Sequence, residues 1–446
     1  MESWSSSFLG FKKSVLHSQC QLRCSVASML RRAIWRIPQE AQSAGWDKKK
    51  KWRRAPICVR GGACITAAGG ADVLTLANLC VDSITAVDSL PQDDHSRAHV
   101  HASLKSSASA ASWECGGASN FAIAASRLGL RSASLGHTGE DAAGEFLLKA
   151  LASEGVSVSQ LSSLHQRDDG YEPTAEPNTL ICHVLRNTAG EHGFISRFDV
   201  NNEPLLSHLS SLSPEAMQML HSAGALKVNG FIFDEWPAEV VERSLSAARE
   251  DASVPIMFDP GPRAPHLLND VPSGGANAIN WLLRRSDVLF LTRREAEIVS
   301  GGILDPMKAA STLLQESERK DPWIIVKLGE KGSFLLRRVH ANAPLHCAGY
   351  EVDVKDRVGC GDSFAAAIAL ARKCKLDAHA ALSLANAVGA ATASSVGAGR
   401  NVASCGMVLR LLEQRTATEP DNEEREAARA ALSALESSLN SSLAHL

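Results

Sequence analysis

The sequence lacks any apolar stretch long enough to span a bilayer. A membrane-crossing helix needs about 20 consecutive apolar residues. The apolar runs near Ala365 and Ala387 are short and are interrupted by glycine or polar residues. Hydrophobic residues make up 45% and charged residues 21% of the 446-residue chain, as in globular proteins. These proportions exclude collagen-like, coiled-coil and wholly disordered proteins, and we expect no membrane partner.

The 11 cysteines form no Cys-x-x-Cys motif and no cysteine and histidine spacing typical of structural zinc sites. Their number is odd, which argues against a complete set of disulfides. We therefore expect a reduced compartment and no structural zinc.

Acidic residues are scarce at the N-terminus. Residues 1–60 contain 13 Lys and Arg but three acids, so they carry +10 and the remaining chain carries −13 of the net charge of −3. An acidic body does not bind nucleic acid through a basic face. The segment has eight serines in its first 30 residues and no continuous apolar core, which is typical of organellar transit peptides. We predict a disordered transit peptide over residues 1–65.

The predicted destination is the chloroplast stroma, with the mitochondrion or the cytoplasm as alternatives. The basic run 48–54 leaves two other interpretations open, because it could act as a nuclear signal or be a solvated charge run within a leader.

From about residue 71, short apolar runs alternate with helical segments, which predicts a parallel sheet with crossover helices. We expect an α/β fold with a doubly wound, mainly parallel sheet that binds ligands at the carboxyl ends of its strands. The predicted strands are 72–79, 132–136, 225–231, 255–258, 288–291 and 323–327. The predicted helices are 120–128, 142–153, 214–221, 237–249 and 294–299.

Residues 165–200 differ from this pattern, since 179–185 and 190–196 resemble a β-hairpin. We predict one domain over 66–416, with a small β lid drawn partly from about 72–120 and 165–200. The Glu-, Ala- and Ser-rich residues 417–446 predict a polar tail that is an exposed helix or disordered.

The strongest motif is Asp-Arg-Val-Gly-Cys-Gly-Asp at 356–362, followed by an alanine-rich helical run. Gly359 and Gly361 around Cys360 allow consecutive backbone N–H groups to face a common concavity at a helix N-terminus, which forms an anion hole. Asp362 would repel phosphate, so a functional interpretation makes it a base that accepts a hydroxyl proton. Alternatively, the motif is a turn and Asp362 caps the helix.

A second motif, Gly-Gly-Ala-Ser-Asn at 116–120, opens another predicted helix. Gly116 and Gly117 permit close approach of a ligand to the backbone, and the Asn120 amide suits a polyhydroxylated molecule. The alternative is a strand-to-helix turn with Asn120 as a cap.

In this order and about 240 residues apart, the two motifs resemble the signatures of PfkB-type carbohydrate kinases, also called ribokinase-like. The resemblance spans most of residues 71–402. The first signature fits at Gly116, Gly117, Asn120, Ala122, Gly129 and Gly139, and the second at Asp356, Gly359, Gly361, Asp362, Ala366 and Ala367. The chain departs from the family at Arg357, where a small residue or proline is usual, and at Cys360, where alanine is usual.

The resemblance implies ATP-dependent phosphorylation of a hydroxyl on a sugar or nucleoside, with Mg²⁺ and often K⁺. By position it makes Asp362 the catalytic base and the 359–361 backbone the site of the transferring phosphoryl group. The implied acceptor-binding residues are Asn78, Asp82, Gly116, Gly117 and Asn120. The implied nucleotide-binding residues are Thr292, Lys327, Gly329, Gly332, Asn386, Gly397 and Ala398. Asp356 would hold the monovalent cation, and a homodimer through the lid is a further expectation. The chain has no P-loop motif.

One landmark of the family is altered. Where the family commonly has Asn-x-x-Glu, associated with Mg²⁺ and phosphate, this chain has Thr292 and Glu295. A threonine hydroxyl can still bind a metal-bound water or a phosphate oxygen, so we expect an altered metal site, with Glu295 holding Mg²⁺ through water. Alternatively, Thr292 only caps the following helix. A rival to the active kinase is therefore a weak or idle family member that serves as a structural or regulatory subunit.

Overall fold

The computed structural model describes residues 70–76, 78–91, 96, 99–100, 113–160, 178–187, 192–195, 204–270, 274–340 and 343–444. All of them belong to one unit that spans Cys58–Leu446. The predicted transit peptide over residues 1–65 lies outside the described residues.

Two sheets contain the strands. In chain order the strands are β1 (Val73–Leu76), β2 (Leu79–Ala86), β3 (Trp113–Gly117), β4 (Ser132–Gly136), β5 (Ser157–Gln160), β6 (Leu180–Arg186), β7 (His192–Ile195), β8 (Leu226–Asn229), β9 (Ile256–Asp259), β10 (Val288–Thr292), β11 (Trp323–Lys327), β12 (Ser333–Leu336) and β13 (Leu345–Cys347). The large sheet has the order β13-β12-β11-β10-β9-β8-β1-β4-β5. Its strands run parallel except β12 and β13, which extend the β11 edge antiparallel.

Helices cover both faces of this sheet. They are α1 (Ser119–Arg127), α2 (Ala142–Ser153), α3 (Pro214–Ser222), α4 (Ala238–Ala252), α5 (Ala264–Asn269), α6 (Gly275–Arg285), α7 (Arg293–Val299), α8 (Pro306–Glu316), α9 (Cys360–Lys373), α10 (Ala378–Ala393), α11 (Cys405–Thr418) and α12 (Asn422–Ala444). One core contains residues of α1, α2 and α9 to α12, and the other contains residues of α3 to α8. Because both faces are buried, the strands are almost continuously apolar. The predicted doubly wound sheet is confirmed. No helix in the described part of the chain is both long and apolar enough to cross a bilayer.

The small sheet has the order β3-β2-β6-β7. β6 and β7 pair antiparallel, as the hairpin prediction for 165–200 required, and β2 pairs with both β3 and β6. One face encloses a small core that includes Cys80, Leu180 and Val184. The second, small sheet that the predicted fold class required is therefore confirmed.

Some predicted boundaries are wrong. The strand predicted over 72–79 is two strands, since β1 ends at Leu76 and Leu79 begins β2 in the other sheet. The strand predicted over 225–231 ends at Asn229, where a 3-10 turn (Gly230–Asp234) follows. A Cβ atom at Gly230 would lie 2.1 Å from the Pro260 carbonyl oxygen, so this turn packs directly against the chain after β9.

The C-terminal tail is not the exposed or frayed segment that we predicted. It is helical, but α12 buries Ala427, Ala428, Ala431 and Leu435 on one face. These residues lie one, three and four positions apart, which places them on the same helix surface. The helix therefore belongs to the folded domain, because its polar composition hides a narrow apolar stripe.

Candidate active site

The residues 356–362 form a turn that leads into α9. Gly359 is the N-cap residue and has φ +78°, a left-handed conformation that glycine adopts without steric cost. A Cβ atom there would lie 2.8 Å from the Val402 side chain. The next residues form the first helical turn, where backbone N–H groups precede their helical partners and the helix dipole is positive. The turn thus has the backbone conformation that anion binding requires.

Asp362 is the third residue of α9 and does not cap it, because the N-cap residue is Gly359. The capping interpretation of Asp362 is therefore wrong. Its side chain is only partly exposed, and burial raises the pKa of the carboxyl to about 6. The Lys227 ammonium and a hydrogen bond from the Asn120 amide act in the opposite direction, since both favour the charged form. A pKa near 6 suits a general base at neutral pH.

The Lys327 ammonium lies directly over this turn. Its Nζ atom is 3.2 Å from the position that a Cβ atom at Gly361 would occupy, and 2.9 Å from Oδ2 of Asp259. Burial alone would lower the pKa of Lys327, but the Asp259 and Glu295 carboxylates outweigh it and raise the pKa well above its usual value. Lys327 is therefore a fixed positive charge beside the anion-binding turn, and Gly361 leaves the room that it occupies.

The large sheet brings these groups together through its register. Asp259, Thr292 and Lys327 are the last residues of the adjacent strands β9, β10 and β11, and Thr292 pairs directly with Lys327. The carboxyl ends of parallel strands form the usual ligand-binding edge of such a sheet. Burial would raise the pKa of Asp259, but the Lys327 and Lys227 ammonium groups lower it, so Asp259 is ionised and orients Lys327.

Lys227 is a buried cation within β8. Its ammonium donates to the Val228 carbonyl at 3.0 Å and lies 5.8 and 5.7 Å from the ring centres of Phe121 and Phe290. Burial lowers its pKa, and the carboxylates of Asp259 and Asp362 act against this effect. Because a buried charge is costly unless it has partners, these two carboxylates are what stabilises Lys227 in its charged form.

The predicted acceptor residues converge at the junction of the two sheets. A Cβ atom at Gly116 would lie 1.9 Å from Oδ1 of Asp82, and one at Gly117 would lie 2.6 Å from the Asn78 carbonyl oxygen. Both glycines are therefore required by close packing. Asn78 Oδ1 is buried and has no hydrogen-bond partner in the described structure. Burial raises the pKa of Asp82 to about 7, and the Asp362 carboxylate adds to the increase, so the two carboxylates face a common space.

Asn120 connects the predicted acceptor residues to the turn 356–362. It lies inside α1, whose N-cap residue is Ala118, so the interpretation of Asn120 as a cap is wrong. Its Oδ1 accepts a hydrogen bond from the Gly399 amide at 2.7 Å, and its amide donates to Asp362.

Two arginines hold the segment 397–402, one against β3 of the small sheet and the other against α1. Arg400 makes a two-point contact with Glu114 on β3, at 2.9 and 3.1 Å. Arg127 donates to the Val402 carbonyl at 2.6 Å and makes a two-point ion pair with Glu154. The acceptor side and the predicted nucleotide side are therefore rigidly linked.

Thr292 and Glu295 form a capping box at the start of α7. Thr292 Oγ1 accepts from the Glu295 amide at 3.2 Å, and Glu295 Oε2 accepts from the Thr292 amide at 2.7 Å. Thr292 therefore caps the helix. These two hydrogen bonds do not bear on whether Thr292 also contacts a metal ion. Burial raises the pKa of Glu295, against the effect of Lys327, which places this carboxylate in the same ionic cluster.

Three more of the predicted nucleotide residues, Gly329, Gly332 and Asn386, lie around the β12–β13 edge. Asn386 accepts from Ser333 Oγ at 2.9 Å and donates to the carbonyls of Cys347 and Ala348 at 3.1 and 3.2 Å. A Cβ atom at Gly332 would lie 2.1 Å from the Cys347 carbonyl oxygen, whereas one at Gly329 would meet open space. Gly332 is therefore needed for packing, and Gly329 borders a volume that a ligand could enter.

Asp356 has structural contacts in addition to its predicted role at a cation. Its carboxylate accepts from the amides of Val358 at 3.0 Å and Gly397 at 2.9 Å, and it lies 3.5 Å from His192 Nε2 on β7. It thus joins the turn 356–362 to the segment that contains Gly397 and the buried Ala398, and to β7 at the edge of the small sheet.

Sequence reasoning missed Asp259, Lys227 and the Glu114–Arg400 pair. Asp259 could have been found, because it is a polar residue at the end of a predicted strand and precedes a Pro-Gly turn. Lys227 interrupts an apolar strand, which is a weaker signal, and Glu114 lies in a strand that the sequence pattern did not reveal.

The doubly wound sheet, the β lid and the polar strand ends before the Gly-x-Gly-Asp turn define a kinase of the ribokinase-like fold. The chain belongs to the pfkB family of carbohydrate kinases, whose family model matches residues 77–405. It is thus a carbohydrate kinase, and the predicted family and enzyme class are confirmed.

Its curated relatives are sugar kinases. The chain is 25% identical over 256 residues to Probable fructokinase-3 of Arabidopsis thaliana, covering 57% of this chain and 67% of that protein. It is 26% identical over 344 residues to an ATP-dependent ribose-1-phosphate kinase of Halopiger xanaduensis, covering 77% and 98%.

Solved structures share the fold. An Escherichia coli protein assigned as Ribokinase II, in complex with ATP and Mg²⁺, has a TM-score of 0.57 at 21% identity and covers 77% of this chain and 99% of its own. Arabidopsis thaliana ribokinase, complexed with ribose and ATP, has a TM-score of 0.55 at 20% identity, covering 77% and 98%.

Proposed function

We propose that this carbohydrate kinase transfers the γ-phosphate of ATP to a hydroxyl of a sugar or nucleoside, with Asp362 as the general base. The observation that carries the proposal is the position of Asp362. It lies in the anion-binding first turn of α9, is hydrogen bonded to Asn120 on the acceptor side, and is near the Lys327 ammonium on the nucleotide side.

The chemistry follows from these positions. The oxygen of the acceptor hydroxyl bonds to the γ-phosphorus of ATP, and Asp362 accepts the proton of that hydroxyl. The bond between the γ-phosphorus and the β,γ-bridging oxygen breaks, which releases ADP. The Lys327 ammonium and the N–H groups of the turn stabilise the charge on the transferring group. Because the Cys360 amide donates to the Arg357 carbonyl at 3.3 Å, we assign the main backbone role to the amides of Gly361 and Asp362.

The carboxylates near the phosphate position fit a divalent cation. Glu295 and Asp259 contribute oxygen ligands of the kind that Mg²⁺ prefers, directly or through water. Bound with ATP, Mg²⁺ would neutralise charge on the phosphates. The buried Lys327 and Asp259 pair would hold the phosphate groups in line with Asp362.

The acceptor would bind between the lid and α1. Asn78 Oδ1 is buried without a partner and Asp82 is held partly protonated near neutral pH, so the two can accept and donate hydrogen bonds to sugar hydroxyls.

Three further parts of the proposal concern the surroundings of the site. We propose that Asp356 helps to bind a monovalent cation such as K⁺ and that the lid mediates a homodimer. We also propose that the N-terminal segment directs the protein to the plastid.

The test is an ADP-release assay of the full chain with ATP, Mg²⁺ and a panel containing fructose, ribose, ribose 1-phosphate and nucleosides. On the acceptor that is turned over, Asp362→Asn should lose on the order of 10² or more in kcat and bind ATP within a few-fold of wild type. Asp353→Asn, which changes an exposed acid of the same loop, should leave kcat unchanged.

Near-normal turnover by Asp362→Asn would refute Asp362 as the base. No turnover of any acceptor by the wild-type chain would favour the idle-subunit alternative.

A further inference from the structure

A cluster of three metal-binding side chains lies outside the proposed active site. Cys347 ends β13, His379 is in the first turn of α10, and Glu424 is in the first turn of α12. One possible ligand atom from each, Sγ, a ring nitrogen and a carboxylate oxygen, lies within 4.8 Å of the others. The three residues come from distant parts of the chain, so no sequence motif indicates the cluster.

The measured separations match those expected around zinc. Cys347 Sγ lies 3.3 Å from one Glu424 oxygen, and His379 Nε2 lies 3.5 Å from the other. With zinc bonds of about 2.3 Å to sulfur and about 2.0–2.2 Å to nitrogen and oxygen, tetrahedral ligands lie about 3.4–3.6 Å apart. Because the two distances run to different oxygens of Glu424, binding of one ion among the three side chains would require a rotation of that carboxylate.

The surroundings also suit a bound ion. His379 Nε2 is buried and faces a Glu424 oxygen at 3.5 Å, which is longer than an ordinary nitrogen-to-oxygen hydrogen bond. Cys347 is fully buried, whereas the His379 and Glu424 side chains are 16% and 14% exposed, so a water could supply a fourth ligand. Zinc with one thiolate and one carboxylate is neutral overall. The neighbouring Arg415, 3.4 Å from Glu424, would therefore meet no net positive charge.

We propose that Cys347, His379 and Glu424 bind one zinc ion that fastens α12 to the β13 edge. Binding releases the thiol proton of Cys347 to solvent and forms a zinc–thiolate bond. This proposal reverses the expectation of no structural zinc, which rested on short Cys and His spacings along the chain.

The site would support the nucleotide edge of the kinase. Glu424 already accepts a hydrogen bond from the Ala348 amide at 2.8 Å, and the Ala348 carbonyl accepts from Asn386 and Arg415. Asn386 is one of the predicted nucleotide residues. An ion at Glu424 would therefore hold the Cys347 and Ala348 backbone in place from the side opposite Asn386.

The experiment uses the full chain, stripped of metal with a chelator and then titrated with Zn²⁺ or Co²⁺. Because the chain has 11 cysteines, bound metal is judged by comparing variants. Wild type and Cys374→Ser, which changes an exposed cysteine, should retain one more equivalent of zinc than Cys347→Ser. The affinity at this site should fall by more than the roughly 10–100-fold that loss of an outer-shell partner costs. Co²⁺ should give a sulfur-to-metal charge-transfer band that Cys347→Ser lacks.

Equal zinc contents in wild type and Cys347→Ser, or a cobalt spectrum without the sulfur band, would overturn the proposal. If Cys347→Ser does not fold, His379→Gln at the partly exposed position provides the same comparison, with folding checked by circular dichroism. Neither readout requires kinase activity, so the result is independent of the proposed function.

Discussion

Replacement of Lys227 by methionine tests the electrostatics of the proposed base. Lys227→Met removes the buried ammonium but keeps a long, flexible side chain between Phe121 and Phe290. Exchange of a buried charge for an apolar group of similar volume is often neutral or stabilising. Asp259 keeps Lys327 as its partner at 2.9 Å, so no carboxylate is left without a cation. We therefore expect the variant to fold.

The expected effect is on the pH dependence of the reaction. The pKa of Asp362 is about 6 with Lys227 present, and a nearby opposite charge lowers a carboxyl pKa by about one to three pH units. If loss of the charge shifts the pKa by one pH unit, the smallest of these effects, the pKa of Asp362 rises to about 7 in the variant. The ionised fraction at pH 6 then falls from about one half to about one tenth, so kcat/KM falls about fivefold there. At about pH 9 Asp362 is ionised in both proteins, so the variant and the wild type should have nearly the same kcat/KM.

The assay is the profile of kcat/KM between about pH 5 and 9 on an accepted substrate. Asp82, Asp259, Lys327 and Asn120, which also act on Asp362, are unchanged in the variant. Lys149→Met, at an exposed lysine paired with Glu145, should reproduce the wild-type profile. A rate that falls by the same factor at every pH, with the acid limb in its original position, would refute the reasoning.

Three further predictions concern other parts of the chain. Gly361→Ala should displace Lys327, whose Nζ would lie 3.2 Å from the new Cβ, and lower kcat by on the order of 10–10². Gly389→Ala is the control and should keep its activity in steady-state assays, because a Cβ atom at Gly389 would make only ordinary van der Waals contacts. Thr292→Asn keeps the helix cap, and it should lower the Mg²⁺ concentration needed for half-maximal rate while the KM for the acceptor stays nearly unchanged. If neither value changes, capping is the role of Thr292. A reporter fused to residues 1–65 should enter plastids, and a cytosolic or nuclear signal would contradict the targeting prediction.

The sequence pattern was sufficient to predict the bounds of several strands and helices of the large sheet. The strands 132–136 and 323–327 and the helix 142–153 have their predicted bounds. The helix has Asp141 as a side-chain cap, and 323–327 is an apolar run, whereas 132–136 reads Ser-Ala-Ser-Leu-Gly and pairs with β1. β3 was missed because its Trp-Glu-Cys-Gly-Gly sequence has little strand propensity and is held by pairing with β2.

The conformation of the turn 356–362 could be predicted from its own residues, but the electrostatic partners of Asp362 could not. Gly359 and Asp362 are close in sequence, so their chemistry could be inferred from a short motif. Lys227 and Asp259 act on Asp362 from strands more than 100 residues away, and only the parallel register brings them to the turn. The same applies to Glu424, whose partners are set by packing of α12.

The packing of α12 also has a consequence for the order in which the chain can fold. Ser438 donates to the Leu128 carbonyl at 2.8 Å, and a Cβ atom at Gly129 would lie 2.6 Å from its hydroxyl oxygen. The end of α1 is therefore covered by a helix that is synthesised 310 residues later. Until then the apolar surface that receives Ala428 and Leu435 is open to water. Nascent chains that stall before α12 should therefore aggregate or require chaperones, even though every active-site residue has already been synthesised.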